Sequence, residues 1–153
     1  MEKSLLEELM KKNPLFQNLE SDEVAKILAL SEKQNYQAGD FVFAQDQEAK
    51  KLFIVEKGLV GMILQLKPGT EQTVATELSG GLFGWAALLP PYRYTTSAKC
   101  LEPSQLVTLD GSKVRELCFQ EPRLGVKLME GLAQFIANRI YWTNTRLIDD
   151  IWE

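Results

Sequence analysis

One stretch of the chain, residues 82–99, holds the side chains whose types and spacing could bind a ligand. Gly84 has no Cβ, so its backbone can come close to a bound group. The apolar run Trp85–Leu89 predicts a short helical turn, whose first N–H groups would point at an anion. Arg93 or a neighbouring hydroxyl could complete the coordination of a phosphate. The candidate ligand-binding residues are Phe83, Gly84, Trp85, Ala86, Ala87, Arg93, Tyr94, Thr95 and Thr96.

The chain lacks the residue type on which most enzyme and metal sites depend. It contains no histidine, the commonest general base and metal ligand. No nucleophile, base and oxyanion donors occur together, so we expect no catalytic residue, no metal site and no firm cofactor. Cys100 and Cys118 lie far apart and form no Cys-x-x-Cys pair. They indicate buried free thiols in a reducing compartment.

Composition favours one compact domain without nucleic-acid or membrane contact. The 153 residues are 45% hydrophobic, which is enough to build a full core. A net charge of −4 argues against direct nucleic-acid binding, which needs a basic face. The N-terminus does not read as a signal peptide, and no apolar run approaches the roughly 20 residues that span a bilayer. We expect a cytoplasmic protein.

Helical patterns flank a central region of short strands. Residues 2–12 predict an amphipathic helix, and Ser21 has the type of an N-cap for a second helix within residues 1–30. Between residues 31 and 110, β-branched and aromatic segments alternate with turns such as Lys67–Thr70, which predicts a sandwich or barrel. The predicted strands are Gln34–Gln37, Phe41–Phe43, Leu52–Glu56, Leu59–Leu66, Thr70–Leu78, Tyr92–Leu101 and Gln105–Leu109. The predicted core aromatics are Phe41, Phe43, Phe53 and Phe83.

The chain returns to helix over residues 111–153. Asp110 or Ser112 can cap a first helix, and Pro122 stands at the tolerated first position of a last one that runs to about Asp150. A helix this long outruns a small roll. Its far segment is apolar enough to need a partner, with Arg139 at a polar flank. That segment comprises Ile140, Trp142, Leu147, Ile148, Ile151 and Trp152.

Three motifs resemble those of the cyclic-nucleotide-binding domain family. Gly39–Phe43 is similar to the family's Gly-Asp-x-Ile-Phe, and Phe53–Val60 to its Tyr-x-Val-x-x-Gly-x-Val. Residues 82–99 resemble its phosphate-binding cassette. Within them, the residues Phe83–Trp85 and Pro90–Tyr94 are similar to those of a bacterial subset of stand-alone family members. The resemblance runs from about Leu15 to Arg146. It implies a single domain over 1–153, mainly β with flanking helices: a double-stranded β-helix (a jelly-roll-like β-roll) with N-terminal helices and a long C-terminal helix.

The cassette departs from the family pattern at the two positions whose side chains bind the ligand in the family. Trp85 stands where the family has the glutamate that binds the ribose, and Tyr94 stands where it has the phosphate-binding arginine. Arg93 lies one position early, and a shift of one residue in a strand turns a side chain to the opposite face. Arg93 therefore either reaches the phosphate or lies on a strand edge. Trp85 either fills the pocket or stacks on a base or sugar.

These departures leave three functional hypotheses. The first is a regulatory sensor module with weak or lost cAMP and cGMP binding. The second is a true receptor that uses the backbone amides of residues 84–87 and Arg93, and the third is a scaffold for a protein partner. The family's transcription factors continue into a helix-turn-helix module, which is absent before Glu153, so we expect a stand-alone module or part of a longer protein. The resemblance also implies a homodimer through the last helix, with interface residues Leu132, Phe135, Ile136, Ile140 and Leu147.

Overall fold

The structure, a computed structural model, describes the backbone of residues 2–152 and the side chains of residues 5–147. The helices are α1 Glu2–Lys11, α2 Ser21–Leu28, α3 Gly111–Gln120 and α4 Pro122–Trp152. The strands are β1 Ser31–Tyr36, β2 Phe41–Phe43, β3 Lys51–Lys57, β4 Val60–Lys67, β5 Thr70–Glu77, β6 Leu82–Phe83, β7 Ser97–Cys100 and β8 Ser104–Asp110. A 3-10 turn, Trp85–Leu88, lies between β6 and β7 and is called the cassette turn below.

The eight described strands form two four-stranded antiparallel sheets, which confirms the predicted fold class. One sheet has the order β1-β8-β3-β6 and the other β2-β7-β4-β5. The core lies between them and under α4, where Phe53 and Phe83 stack with ring centroids 5.1 Å apart. The hairpin predicted at Lys67–Thr70 joins β4 to β5, with Gly69 in the left-handed region at φ +81°.

The predicted strand Tyr92–Leu101 is wrong in its first half, because β7 begins only at Ser97. Tyr92 has φ +56°, a left-handed conformation that interrupts an extended chain. Arg93 forms only an isolated antiparallel bridge with Glu48. The ligand candidates of this segment therefore lie on an irregular loop, and strand alternation does not set the direction of their side chains.

Of the four predicted core aromatics, Phe41 is the exception. Phe43, Phe53 and Phe83 are buried as predicted, whereas Phe41 is 56% exposed. Residues two apart on a regular strand share a face, but the register of β2 against β7 shifts between Phe41 and Phe43. Such a bulge re-aims the side chains on either side of it. Phe41 instead lies under the Lys99 ammonium, 5.5 Å from the ring centroid.

Two helix caps fix where α2 and α3 begin. The predicted cap Ser21 is wrong by one residue: Glu20 is the N-cap and forms a capping box with Glu23. Asp110 caps α3 as predicted, since its Oδ1 accepts from the amide of Ser112 at 2.9 Å and from its hydroxyl at 2.6 Å. These bonds lower the pKa of Asp110, with the Ser112 hydroxyl contributing most.

The long helix α4 begins at Pro122, as predicted, and packs its first half against its own domain. Leu124, Leu128 and Leu132 are each 1% exposed. Close approach is possible at Gly131, where a Cβ would lie 2.6 Å from the carbonyl oxygen of Leu15. The backbone of α4 thereby packs directly on the N-terminal segment, and its second half contacts β5, an edge strand of the second sheet.

Candidate functional site

The cassette turn is set by close packing on β3. Gly84 has φ +76°, and a Cβ there would lie 3.0 Å from the Phe53 ring and 3.1 Å from the Lys51 carbonyl oxygen. The turn is shorter than the predicted Trp85–Leu89, because Leu89 is already extended. Glycine is therefore required here by the approach of β3, whether or not a ligand binds.

A cavity of about 270 Å³ lies beside the turn and contains most of the predicted ligand residues. Seven of the nine line it: Phe83, Gly84, Trp85, Ala86, Tyr94, Thr95 and Thr96. Ala87 is fully buried instead and turns its carbonyl oxygen to Arg115, 3.2 Å from its Nη1. The cavity is slightly smaller than the range of about 300–1,000 Å³ typical of small-molecule sites. We call it the cassette cavity.

Arg93 does not line the cassette cavity. Its side chain is exposed, and its Nη1 donates to the carbonyl oxygen of Asp46 at 2.8 Å. Asp46 occupies a left-handed turn position at φ +69°. Arg93 therefore lies on the exposed side of an irregular loop, outside the lining of the cassette cavity.

Tyr94 is a core residue that borders the cavity. It is 5% exposed and stacks on Phe43 with ring centroids 3.6 Å apart. Its hydroxyl donates to the Lys51 carbonyl oxygen at 2.6 Å and accepts from the Lys51 amide at 3.2 Å. Burial raises the pKa of the phenol. The hydroxyl thus both donates to and accepts from the backbone of Lys51 in β3.

Trp85 and the two threonines form the rest of the wall. Trp85 is half-buried and packs against the hydrophobic core. Thr96 directs its hydroxyl to the Met62 sulfur at 3.8 Å, and Thr95 is exposed. No carboxylate stands at position 85 to accept from a ribose hydroxyl.

The charged groups of the cavity were missed by sequence reasoning. Arg139 of α4 lines the cavity and donates to a carboxylate oxygen of Glu77 at the end of β5. Glu77 is 9% exposed, and burial lowers the pKa of Arg139. The guanidinium also lies 5.0 Å from the Phe135 ring centroid. The helical spacing predicts only that Arg139 lies on a polar flank of the helix. No motif in the sequence links it to Glu77, which lies 62 positions earlier.

Helix α4 lies along the mouth of the cassette cavity. Thr143, one turn beyond Arg139, also lines the cavity. Arg146 donates to the Val74 carbonyl oxygen of β5 at 3.4 Å. Three positions of the second half of α4 therefore contact either the cavity or the strand beside it.

The five predicted interface residues of α4 fall into three groups by exposure. Leu132 and Phe135 are 1% and 6% exposed and pack inside their own domain, so they have little surface left for a second copy. Ile136 is half-buried, whereas Ile140 and Leu147 are 56% and 55% exposed. The predicted far positions Ile148, Ile151 and Trp152 lie outside the side chains that the structure describes.

Other chemistry-bearing groups are sparse among the described residues. Cys100 is buried and Cys118 half-buried, both as free thiols, and burial raises the pKa of each. Across the described part of the chain, no three of the histidine, cysteine and acidic side chains cluster as metal ligands would. The helices within that part are too short or too polar to cross a membrane.

The sequence profile of the cyclic nucleotide-binding domain family matches residues 33–121. This is more than half of the 153 residues, and the chain therefore belongs to that family. Members are regulatory domains. In the order α1–α2, eight strands interrupted by the cassette turn, and α3–α4, the structure has the architecture of the family.

Three similar proteins illustrate the likeness. The CRP-like cAMP-activated global transcriptional regulator of Mycobacterium tuberculosis is 23% identical over 96% of this chain and 64% of its own length. The catabolite activator protein of Thermus thermophilus has a TM-score of 0.76 and 27% identity, covering 88% of this chain and 62% of that one. A cyclic nucleotide-binding domain from Methylobacillus flagellatus has a TM-score of 0.82 and 19% identity, covering 94% and 80%. The chain spans less than two thirds of the curated relatives' length, 64% in the first case and 46% of a Thermus cyclic AMP receptor protein.

Proposed function

We propose that this chain is a regulatory sensor module in which ordinary recognition of cAMP and cGMP is weak or lost. One observation carries the proposal: the residue at the position of the family's phosphate-binding arginine, Tyr94, and its neighbour Arg93 both bond to other parts of the protein. Tyr94 is bonded to the backbone of Lys51 inside the core, and Arg93 is bonded to the Asp46 carbonyl outside the cavity. A cyclic phosphate in the cassette cavity would meet neither a guanidinium at position 94 nor one from Arg93.

The expected loss of affinity follows from the two missing contacts. With Trp85 in place of a carboxylate, a bound ribose hydroxyl loses its partner, which costs about 1–3 kcal/mol. Loss of a guanidinium–phosphate contact removes a charge-assisted interaction of similar or greater size. At about 1.4 kcal/mol per tenfold change, the two together weaken binding by roughly two to four decades.

Under the receptor hypothesis, the cation available to contact a phosphate in this cavity is Arg139 and not Arg93. Arg139 is the only cationic side chain among the described residues that line the cassette cavity. Its ion pair with buried Glu77 already neutralises it, so an incoming phosphate would compete with a carboxylate held by the protein. A receptor built on this cavity would therefore depend on Arg139 rather than on Arg93.

Calorimetry with cAMP and cGMP tests the proposal on the wild type and on Arg93→Ala and Arg139→Ala. We expect no saturable binding at micromolar nucleotide in any of the three proteins. A micromolar or tighter Kd in the wild type would overturn the proposal. Loss of that binding in Arg93→Ala would support the receptor as first formulated, and loss in Arg139→Ala alone would support a receptor based on α4.

We also propose that the protein is a homodimer through the second half of α4. The support is a run of exposed apolar side chains on a helix that has already buried Leu132 and Phe135 in its own domain. The described members of this run are Ile140, Tyr141, Trp142 and Leu147, which are 55–64% exposed. Their burial would stabilise a dimer by about 25 cal/mol per Å² of apolar surface.

Light scattering distinguishes dimer from monomer. We expect a dimeric wild type and a monomeric variant carrying Ile140→Glu and Leu147→Glu, since these place two charges on the apolar run. A matched control places Gln134→Glu and Asn138→Glu on exposed polar positions of the same helix and should remain dimeric. If light scattering gives the wild type the mass of a monomer, the dimer proposal is wrong.

A dimer that binds neither nucleotide agrees with both the sensor that has lost nucleotide recognition and the scaffold for a protein partner. We further infer a non-enzymatic protein, because the chain belongs to a regulatory family and has no histidine, the commonest general base. The single domain over 1–153 is supported by the one family profile that matches, over residues 33–121. A cytoplasmic location stays a prediction. A turnover that survives repurification and is lost on mutation of a side chain of this chain would contradict the non-enzymatic inference.

A further inference from the structure

A second cavity, outside the cassette cavity, occupies a groove between α3 and α4. Its volume is about 650 Å³, more than twice the 270 Å³ of the cassette cavity. Cys118 and Phe119 line it from α3, and Val126 and Met129 line it from α4. Phe119 is 86% exposed and Val126 is 60% exposed, so large apolar surface stands open to solvent there. We call this cavity the α3–α4 groove.

Among the described residues, the groove contains one cation, Arg115, that forms no direct ion pair, although the carboxylates of Glu48 and Asp110 line a neighbouring cavity with it. The Arg115 guanidinium lies 4.1 Å from the centroid of the Tyr92 ring, and its Nη1 donates to the Ala87 carbonyl oxygen at 3.2 Å. Both partners are neutral, and none of the ion pairs among the described residues includes Arg115. The other charged lining residue, Glu130, is exposed to solvent.

We propose that the α3–α4 groove binds an amphiphilic carboxylate, with the carboxylate on Arg115 and an apolar body along α3 and α4. A guanidinium held in place is suited to bind a carboxylate through two parallel hydrogen bonds. The volume lies within the range of about 300–1,000 Å³ typical of small-molecule sites. Along α4 the groove extends from Pro122 to Ala133, which is about 17 Å at 1.5 Å per residue.

This length and shape favour an unbranched acyl chain over a partner helix. A stable protein interface needs on the order of 1,000 Å² or more of buried surface, whereas this groove is one concavity with the volume of a single ligand. Leu88 and Tyr92 of residues 82–99 also line it. An occupant would therefore contact this segment from outside the cassette cavity, whether or not a nucleotide binds there.

Titration calorimetry with dodecanoate, below its critical micelle concentration and at low salt, tests the proposal on the intact chain. We expect saturable binding of one molecule per chain. Each methylene removed from the acid should weaken binding about fourfold, as loss of its burial requires. Dodecanol, which has the same chain without the charge, should bind at least tenfold more weakly. Absence of saturable dodecanoate binding would overturn the proposal.

Three variants locate the site. Arg115→Gln should weaken dodecanoate at least tenfold and leave dodecanol unchanged. Ala133→Trp, at an exposed position that lines the groove, should abolish binding of both probes, whereas Ala137→Trp, one turn further along and outside the groove lining, should not. Ala133→Trp keeps the test decisive if Arg115→Gln fails to fold. Equal binding by Ala133→Trp and the wild type, or loss of binding in the Ile140→Glu, Leu147→Glu variant alone, would assign dodecanoate to another surface and refute the proposal.

Discussion

Replacing Glu77 by glutamine tests whether an internal ion pair opposes anion binding in the cassette cavity. Glu77 is 9% exposed, and its carboxylate accepts a hydrogen bond from Arg139. Glutamine keeps the size of the side chain and removes the charge. The guanidinium of Arg139 then loses its counterion while still lining the cavity, so a nucleotide phosphate becomes its best available partner.

The size of the effect follows from the exposure of the two partners. A hydrogen bond to a charged group contributes about 1.5–3 kcal/mol, which corresponds to roughly 10- to 100-fold in Kd. The Arg139 side chain is 41% exposed, against 11% for Glu77, so solvent screens the interaction. We therefore expect the lower end, a Kd for cAMP about tenfold lower in Glu77→Gln than in the wild type. Unfolding stability should fall by only about 1 kcal/mol for the same reason.

Ligand-observed NMR with cAMP at up to millimolar concentration measures affinities this weak. Glu71→Gln is the matched control, because it removes an exposed carboxylate from the same strand and should leave the Kd unchanged. Adenosine, which lacks the phosphate, should show no gain in the Glu77→Gln protein. The reasoning is refuted if the Glu77→Gln and wild-type Kd values for cAMP agree within twofold, or if adenosine gains as much as cAMP.

Three further predictions concern the packing and the caps. Gly131→Ala should lower the free energy of unfolding, measured by urea denaturation, by about 1–3 kcal/mol. The reason is that the added Cβ would lie 2.6 Å from the Leu15 carbonyl oxygen. Helix propensity alone predicts a gain in stability, and such a gain would contradict the packing argument. Asp110→Ala should cost about 1 kcal/mol at neutral pH. The pKa of Asp110 is lowered in the folded protein, first by the Ser112 hydroxyl. The stability that Asp110 contributes is therefore fully present above its ordinary pKa of 3.8 and is lost as the pH falls through the lower folded pKa. A difference in unfolding free energy between wild type and Asp110→Ala that stays constant in acid would refute this. The Ala87 amide should be protected from hydrogen exchange without nucleotide, because it donates to the Gly84 carbonyl oxygen inside a buried turn; protection that appears only with saturating cAMP would show that the ligand orders the turn.

Most of the architecture was predictable because it depends on local signals. The turn at Lys67–Thr70 needs a left-handed backbone, which Gly69 adopts without strain, and Asp110 and Pro122 mark where helices begin. Alternation found the apolar strands but missed the two-residue strand β6 and the polar first half of β1, where Ser31–Lys33 has no apolar pattern. It also placed Phe41 in the core, since a bulge leaves no mark in the sequence of β2.

The chemistry of the site was less predictable because it depends on contacts between distant segments. The sequence identified seven residues of the cassette cavity, yet the ion pair joins β5 to α4 across the fold. The direction of Arg93 could not be derived from strand alternation, because the left-handed Tyr92 takes the segment out of strand geometry. The resemblance places Tyr94 at the position of an arginine, but the bonds of its hydroxyl to Lys51 depend on where β3 lies in the fold.

The cassette turn owes its order to contacts within the protein. Lys51 and Phe53 of β3 approach Gly84 so closely that a Cβ would crowd them. On the other side, a Cβ at Gly111 would lie 2.6 Å from the Ala87 carbonyl oxygen, which also accepts from Arg115. Tyr94 donates to the same Lys51 carbonyl oxygen that approaches Gly84, and Trp85 is itself the first residue of the turn. Contacts within the protein therefore fix the turn at the positions where the resemblance places the ligand-binding residues. The chain therefore keeps the family's fold at the turn through close contacts among its own backbone and apolar groups.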